Sequence, residues 1–481
     1  MRLAPHRVSL ARICATSRPP HPPLSPKKGR HMPLAAAEWD AILPPGLTRT
    51  EGEAPPPPST YEEGYALPQH SAKPLLALHP DPQDARLVFH EAPHVYTWDG
   101  TPASASVTAL AHQYEKPFVA ADAIAGMKTA RTQAWPRLEY VEDAQPLGDA
   151  AVPVDRGVLL TAGGKTLAAL QPHAFEAPCP PGEVRDLLHR LAPKVCEIDD
   201  AEVHTFARER TAEEISSGWK RKGMIASHRG TEAHYQAELY FNGLPCRMED
   251  PEVAIVRDFC ARHLLPRGIV AHATEKEIYC ADADLAGSID LILWDGTRGV
   301  YHIVDHKRSD KLQSDLRGYG KMLPPFSHLD DCKGAAYALQ TSIYQYILER
   351  DYGMTFGERI LLSLHPDRPF TTAVPYLCAE VEHLMAARIE LVRARRAVAA
   401  DPRFRCALSG APLVDAVTLR DGRCAMEKAA LVHGESYTVD ATTRAAFEAA
   451  VADARAPVAD FVPGASWRRQ MPVAGLPPFG A

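Results

Sequence analysis

Two aspartates and a lysine on neighbouring segments are the residues of this chain best suited to chemistry. Asp290 lies within an apolar run, and Asp305 and Lys307 lie two positions apart at the end of another. Residues two apart in a strand point to the same face, so Asp305 and Lys307 should lie side by side. An unpaired carboxylate in a half-buried strand is costly. Because hard divalent cations such as Mg²⁺ prefer oxygen ligands, the pattern predicts a metal site.

A β-hairpin is the element that must position these groups. The pattern predicts a strand at 285–294, a turn at Asp295 and Gly296, and a returning strand at 300–304. Antiparallel pairing through this turn would bring the carboxylates of Asp290 and Asp305 together. The Lys307 amine could then stabilise charge on a phosphate or help to deprotonate a water molecule.

An upstream helical segment carries an imidazole. His234 and Glu238 lie one helical turn apart and therefore share a face. A lone histidine on a helix is more often packed or solvent-facing than a ligand, so its functional interpretation depends on the downstream residues. Glu275 precedes the strand of Asp290 and is a candidate for a further ligand or charge partner.

The order of the elements around these residues predicts an α/β domain with a mixed sheet. Predicted helices cover residues 211–242 (a helix pair or one broken helix), 252–265, 333–352 and 380–399. Predicted strands cover residues 87–89, 95–98, 104–110, 270–280, 285–294, 300–304 and 359–364. The core therefore follows the order helix, β-meander, helix, strand, helix.

Composition divides the chain into five parts. They are a disordered basic and proline-rich leader and linker (1–75), an accessory region with insertions (76–204), a core (205–402), a small module (403–460) and a tail (461–481). The leader has no acidic residue before Glu38, as in a transit peptide, whereas its prolines oppose a helical mitochondrial signal. Localisation is mitochondrial or plastid if the leader is a transit peptide, and nuclear or cytoplasmic otherwise.

Charge, hydropathy and cysteine spacing exclude several classes of protein. The net charge of −7 argues against binding nucleic acid by bulk electrostatics alone, although local basic grooves are compatible with it. No apolar run is long enough to span a membrane. The ten cysteines are scattered singly, so we expect neither zinc nor an iron–sulfur cluster.

Four short segments resemble, in order, the motifs of RecB-like PD-(D/E)xK nucleases. The segments are Gly230-Thr-Glu-Ala-His234 (GTxxH), Gly287-Ser-Ile-Asp290 (GxxD), Asp305-His-Lys307 (DxK) and Gln340-Thr-Ser-Ile-Tyr344 (QxxxY). The resemblance covers roughly residues 205–365. It implies an α/β restriction-endonuclease-like core with a mixed central sheet flanked by helices, to which an N-terminal accessory region and a small C-terminal α+β appendage are added.

The resemblance also implies roles for individual residues. His234, Asp290 and Asp305 would bind Mg²⁺ or Mn²⁺, Lys307 would be the catalytic lysine, and Glu275 matches the family's acidic residue before GxxD. These residues would hydrolyse phosphodiester bonds in DNA by metal-activated water, in repair, recombination or mobile-element processing. RNA stays open as a substrate, and a catalytically inactive relative that binds nucleic acid is an alternative.

Further residues are expected to contact or surround the nucleic acid. By the resemblance, Gln340 and Tyr344 would order the site and the substrate, and Thr231 and Arg308 are further candidates for contact with nucleic acid. His306 stands where the family usually has Tyr or Trp, and we expect it to affect packing more than chemistry. Basic residues flank the metal motifs on both sides: Lys220, Arg221, Lys222, Arg229, Arg308, Lys311, Arg317 and Lys321. A charge run is usually a solvated face, but this placement favours a groove for the phosphodiester backbone.

A second resemblance lies near the C-terminal end. Residues 404–431 resemble the first half of a U-box, a ubiquitin-ligase module that folds without zinc. The second half matches poorly, because residues 439–454 read as a simple helix, and a small hairpin-and-helix appendage is the alternative. A true U-box would imply a ubiquitin-conjugating enzyme as a partner and a ubiquitin-ligase-type adaptor as the alternative function.

Overall fold

The structure is a computed structural model that describes residues 40–471 with internal gaps. The gaps are 69–71, 92–93, 131–134, 143–144, 147, 150–157, 163–164, 171–181, 184–185, 187–203, 206–207, 407–408, 410–411, 415, 420–425, 428–436 and 464. The predicted basic leader, residues 1–39, lies outside the described residues.

The described elements are numbered in chain order. The helices are α1 (Pro74–Leu78), α2 (Val107–His112), α3 (Ala120–Thr129), α4 (Ala212–Phe241), α5 (Pro251–Phe259), α6 (Lys333–Asp351), α7 (Cys378–Ala400), α8 (Ala441–Ala454) and α9 (Trp467–Gln470). The strands are β1 (Leu87–His90), β2 (Val95–Trp98), β3 (Thr101–Pro102), β4 (Ala105–Ser106), β5 (Val141–Glu142), β6 (Gln145–Pro146), β7 (Val158–Ala162), β8 (Lys165–Leu170), β9 (His204–Thr205), β10 (Arg208–Glu209), β11 (Val270–Cys280), β12 (Leu285–Asp295), β13 (Val300–Lys307), β14 (Phe356–Ser363), β15 (Phe370–Val374), β16 (Ala416–Leu419), β17 (Met426–Glu427) and β18 (Tyr437–Val439).

A six-stranded mixed sheet is the centre of the fold. Strands β11 to β15 lie side by side in chain order, and the short β4 pairs in parallel with β12. β13 is parallel to β14, whereas β11–β12, β12–β13 and β14–β15 are antiparallel. Helices α4 and α6 both pack on this sheet. The predicted α/β class with a mixed sheet flanked by helices is confirmed, and β15 is a strand that the sequence pattern did not predict.

The predicted hairpin forms between β12 and β13. Asp295 pairs with Val300 across its closed end, and Asp295 Oδ1 accepts hydrogen bonds from Thr297 N and Arg298 N at 3.0 and 3.1 Å. Gly299 completes the turn with a φ of 67°, a conformation that suits glycine. Local side-chain capping therefore fixes the register that brings the two strands together.

Helix α6 supplies the crossover between the parallel strands β13 and β14, which a short turn cannot connect. It begins at Lys333 and ends at Asp351, close to the predicted 333–352. The helix is buried on most of its circumference, and Ala335, Ala338 and Leu339 are fully buried. Its position under the sheet places the QxxxY segment in the core.

Helix α4 differs from the expected helix pair or broken helix. It is one continuous helix of 30 residues and begins with a capping box, in which Thr211 and Glu214 bond each other's backbone N–H groups at 3.3 and 2.8 Å. Gly230 lies inside it, and a Cβ there would meet nothing within 4 Å. Gly218 and Gly223 also lie inside this helix, and each interior glycine costs about 1 kcal/mol, which the packing of a helix this long outweighs.

The predicted strand at 104–110 is largely wrong. Only Ala105–Ser106 is extended, and α2 begins at the next residue. The Ser106 hydroxyl accepts a hydrogen bond from Ala109 N at 3.1 Å, so this serine acts as a helix N-cap. The cap overrides the alternating polar and apolar pattern of the segment.

The described part of the predicted linker packs on the folded unit. Ile42 and Leu75 are fully buried. Arg247 donates a hydrogen bond to the Pro55 carbonyl at 3.0 Å, and Leu75 N donates to Asn242 Oδ1 at 3.1 Å. A proline-rich segment lacks N–H donors but keeps its carbonyls, so it can be extended and still be held.

The C-terminal segment adds a small sheet and a helix. Strands β17, β16 and β18 pair in that order, and α8 packs on α7 through Phe447, Val451 and Val398. Much of the region between 407 and 436 lies outside the described residues, so the U-box stays a prediction. Farther on, Trp467 is fully buried and its Nε1 donates to the Leu316 carbonyl at 2.7 Å. Among the described helices, none has the length and apolar character needed to cross a membrane.

Candidate active and metal site

The predicted site residues lie at the open end of the β12–β13 hairpin, away from its turn and beside the middle of β11. A cavity of about 450 Å³ opens between this end and α4. Thr231, His234 and Glu238 line it from α4, and Glu275 lines it from β11. The shared face predicted for His234 and Glu238 therefore forms one wall of the cavity.

His234 lies between two carboxylates. Its Nδ1 is 3.6 Å from Asp290 Oδ1 and 3.8 Å from Glu275 Oε1. Burial lowers the pKa of this imidazole, but the charges of Asp290 and Glu275 outweigh burial and raise the pKa to about 9. Without a metal, His234 is therefore a cation that partly neutralises the acidic pair.

Glu275 has an unusual backbone for a strand residue. Its φ is 43°, which is uncommon for a residue other than glycine. Ser288 donates to its Oε2 at 3.1 Å, and Lys73 donates to its carbonyl oxygen at 3.3 Å. Burial raises the pKa of Glu275, but the hydrogen bond and charge of His234 outweigh this and lower it. The hydrogen bond from Ser288 and the charge of His234 therefore hold this carboxylate in place.

Asp290 is the most crowded carboxylate of the group. Its Oδ2 accepts a hydrogen bond from His306 N at 2.6 Å, so the side chain bridges from β12 to the end of β13. Burial raises the pKa of Asp290 most; His234 opposes this, and the Asp305 and Glu275 carboxylates add to it, giving a pKa of about 7. The protein alone therefore does not fully compensate the negative charge at this point.

Asp305 and Lys307 form the ion pair that the strand periodicity predicted. Lys307 Nζ lies 2.8 Å from Asp305 Oδ2 and 4.7 Å from the centre of the Tyr337 ring. Burial lowers the pKa of Lys307, but Asp305 and Asp290 outweigh burial and raise it. Lys307 is therefore protonated at neutral pH.

His306 points away from Asp305 and Lys307, toward α4. Its ring packs edge-on to His234 with 5.6 Å between ring centres, and it is parallel to Phe241 at 6.5 Å. Burial lowers the pKa of His306 to about 3, so the imidazole is neutral. One side-chain donor atom from each of His234, Asp290 and His306 forms a group within 4.8 Å, and Asp305 is not part of it.

The QxxxY residues hold the site from the core side. Gln340 donates to the Tyr344 hydroxyl at 3.1 Å and to Thr108 Oγ1 at 3.2 Å, and both motif residues are buried. A Cβ on Gly287 would lie 2.7 Å from Tyr344 Cε1 and 3.0 Å from Val107 Cγ2. The glycine of the GxxD segment is thus needed because the tyrosine of the QxxxY segment packs directly against it.

Two other residues expected at the nucleic acid have partners within the protein. Arg308 Nε donates to Glu252 Oε1 at 2.9 Å, and its side chain is mostly buried. Thr231 lines the cavity and donates to the Ser227 carbonyl at 3.3 Å. Contact with nucleic acid stays a prediction for Thr231 and Arg308, as it does for Gln340 and Tyr344.

Several residues of the site were not singled out from the sequence. Lys73, Ser288 and Tyr337 support the site residues, and they have ordinary residue types at unremarkable spacing. His306 was noted in the sequence for packing only, although it is a titratable residue in an apolar strand and lies between the two candidates Asp305 and Lys307. Strand alternation places it on the opposite face from Asp305, where α4 brings His234 to meet it.

Comparison of the chain with known protein families finds no matching family, and comparison with curated proteins finds no match either. The functional assignment therefore depends on these residues and their geometry.

Proposed function

We propose that this chain is a metal-dependent nuclease with a restriction-endonuclease-like core, and that it hydrolyses phosphodiester bonds in DNA. The observation that carries the proposal is the convergence of an imidazole, three carboxylates and a lysine at the open end of the β12–β13 hairpin. His234 lies within 4 Å of Asp290 and Glu275, and Lys307 is paired with Asp305. These are the residues that the motif resemblance assigns to metal binding and catalysis.

The donor set fits a divalent cation. The carboxylates of Asp305 and Glu275 lie close enough to Asp290 to raise its pKa. Three carboxylates crowded in this way require positive charge, and His234 and Lys307 together supply only part of it. We expect His234, Asp290 and Asp305 to hold the cation, which when bound would acidify water and offset charge on a phosphate.

Lys307 is best suited to electrostatic stabilisation. Its raised pKa keeps the amine protonated, so it is a poor proton acceptor at neutral pH. The pair with Asp305 and the contact with the Tyr337 ring hold the ammonium in one place. A fixed cation at this position would stabilise the additional negative charge on a phosphate during its attack by water.

Exposed groups beside the site suit a nucleic-acid strand. A second cavity of about 730 Å³ has Phe118 and His112 in its lining, and its charged residues are mixed in sign: Lys116, Arg317, Lys333, Glu115, Asp315 and Asp331. His112 packs edge-on to Tyr337, with 6.3 Å between ring centres, and Tyr337 also contacts Lys307. The Phe118 side chain is 74% exposed. Exposed aromatic rings among cations can stack bases and pair with phosphates.

The direct test is cleavage by the purified full chain. Labelled linear duplex, circular duplex, single-stranded DNA and RNA would each be incubated with Mg²⁺, with Mn²⁺ and with EDTA. We expect metal-dependent cleavage of DNA that Asp305→Asn lowers at least about 100-fold. Asp295→Asn, an isosteric change at the hairpin turn, is the matched control and should cleave as the wild type does.

The other outcomes separate the alternatives. Binding of DNA without cleavage of any substrate would indicate an inactive relative and overturn the hydrolase proposal. Cleavage that Asp305→Asn does not alter would place the chemistry elsewhere in the chain. Cleavage of RNA alone would change the substrate and leave the site assignment intact.

A further inference from the structure

We propose that the imidazole of His306 is an additional metal ligand, which makes this a mixed nitrogen and oxygen site that prefers a first-row transition-metal dication such as Mn²⁺ to Mg²⁺. This inference rests on the proposed function, since it concerns the same cation. It reverses the expectation that His306 affects packing more than chemistry.

The first observation is the position of the ring. One side-chain donor atom from each of His234, Asp290 and His306 lies within 4.8 Å of the other two. The backbone N of His306 also donates to Asp290 Oδ2 at 2.6 Å, which fixes the end of β13 against this carboxylate. A small adjustment of side chains would bring the three donors around one ion.

The second observation is an unpaired polar atom. The His306 side chain is only 2% exposed, and its Nε2 has no hydrogen-bond partner among the described residues. A buried polar atom without a hydrogen-bond partner destabilises the fold, so such atoms in folded proteins call for an explanation. A metal ion would satisfy it.

The aromatic role of this position does not explain the histidine. The ring is parallel to Phe241 with 6.5 Å between centres, and a phenyl or phenol ring could make that contact as well. The contact with His234, at 5.6 Å, likewise needs only an aromatic ring. What a histidine adds to this packing is its ring nitrogens.

The donor chemistry determines the preferred ion. Imidazole nitrogen suits transition-metal ions, whereas Mg²⁺ prefers oxygen and gives up its water reluctantly. With His306, this group of donors offers two imidazoles, from His234 and His306, together with the carboxylate of Asp290. Each added nitrogen ligand favours Mn²⁺ over Mg²⁺.

The test is metal binding by the full chain, measured without substrate. Isothermal titration with MnCl₂ and with MgCl₂ would compare the wild type with His306→Phe, which keeps the ring and removes the nitrogens. We expect the wild type to bind Mn²⁺ more tightly than Mg²⁺. We expect His306→Phe to bind Mn²⁺ at least about 10-fold more weakly, because mutating even a residue that only hydrogen-bonds a metal ligand lowers metal affinity by that factor. We expect its Mg²⁺ affinity to change little. His302→Asn, which alters a buried histidine of the same strand outside the cluster, is the control.

A spectroscopic measurement on the wild type makes the test independent of how well the variant folds. Pulsed electron paramagnetic resonance of bound Mn²⁺ in protein labelled with ¹⁵N-histidine should detect two coordinated imidazole nitrogens. Detection of one nitrogen, or equal Mn²⁺ affinity in the wild type and His306→Phe, would overturn the inference but leave the nuclease proposal standing. Failure of the wild type to bind either ion would overturn both.

Discussion

The two ends of the β12–β13 hairpin each bury an aspartate and a histidine, but they use them differently. At the turn end, Asp295 accepts hydrogen bonds from two turn N–H groups, and His302 Nδ1 accepts one from Glu358 N at 3.0 Å. At the site end, Asp290 is crowded by carboxylates, and His306 Nε2 lacks a partner among the described residues. An aspartate and a histidine therefore stabilise the fold at the turn end, whereas at the site end the same two residue types have atoms that could bind a ligand.

The largest expected difference between the ends is in catalysis. Lys307→Met should lower the rate of DNA cleavage at least about 100-fold, because it removes a fixed positive charge from the reacting centre. His302→Asn, on the same strand at the turn end, keeps an acceptor for Glu358 N and should retain the rate per folded molecule. Single-turnover cleavage of a labelled duplex, with folding checked by circular dichroism, measures both. Equal cleavage rates for Lys307→Met and the wild type would show that the site end of the hairpin does not take part in catalysis through Lys307.

Stability should respond in opposite directions at the two ends. Because burial and nearby carboxylates raise the pKa of Asp290 to about 7, native stability falls as pH rises from the unfolded value of about 3.9 through about 7. Asp290→Asn should therefore stabilise the metal-free protein at pH 8 by up to about 4 kcal/mol, and not at pH 4. Asp295→Ala should destabilise it by about 2 kcal/mol, since two hydrogen bonds are lost.

Urea unfolding in EDTA measures these free energies. A loss of stability in both variants at pH 8 would mean that the carboxylates at the site end contribute to the fold in the same way as Asp295. Such a loss in Asp290→Asn would contradict the inference that the negative charge of Asp290 is not fully compensated by the protein.

Two glycines provide a matched pair of smaller changes. A Cβ on Gly287 would lie 2.7 Å from Tyr344 Cε1, and a Cβ on Gly357 would lie 2.7 Å from His302 Cε1. Each Gly→Ala variant should therefore lose about 1–3 kcal/mol through overpacking. Only Gly287→Ala should also lower cleavage per folded molecule, because Tyr344 packs beside the site. Thermal unfolding and cleavage assays check this, and equal activity of the two variants would argue against a role for Tyr344 in ordering the site.

The smallest expected effect is a pH dependence at the turn end. Burial lowers the pKa of His302 to about 4, below the unfolded value of about 6.5. Its contribution to stability is therefore present at neutral pH and is lost as pH falls through the folded pKa; between pH 7 and pH 6 the loss is about 0.7 kcal/mol. His302→Asn removes this titration, so its stability should fall less over that interval. Urea unfolding at the two pH values provides the comparison, and identical slopes would show that His302 titrates normally.

The sequence predicted the parts of the fold that local signals determine. The turn residues Asp295 and Gly296 and the apolar strands on either side specify the hairpin, and strand periodicity is sufficient to pair Asp305 with Lys307. The bounds of α6 follow from its apolar spacing and from Gly353. Because the hairpin brings β12 beside β13, Asp290 also lies near the ion pair of Asp305 and Lys307.

The remaining features depend on contacts between distant segments. The meeting of His306 and His234 requires the position of α4 over the sheet, and the engagement of Arg308 by Glu252 requires the position of α5. The N-cap at Ser106 changed a predicted strand into a helix because one hydrogen bond overrode a weak alternation. The spacing of apolar residues within one segment does not show which distant segment will pack against it.

The most direct test of the central claim is a Mn²⁺ titration of the wild type and of Asp290→Ala at the same pH. If the site end of the hairpin is a metal site, the wild type binds one ion per chain and Asp290→Ala loses at least about 10-fold in affinity, since a ligand is removed. Equal affinity in the two proteins, or no binding by the folded wild type, would contradict the account.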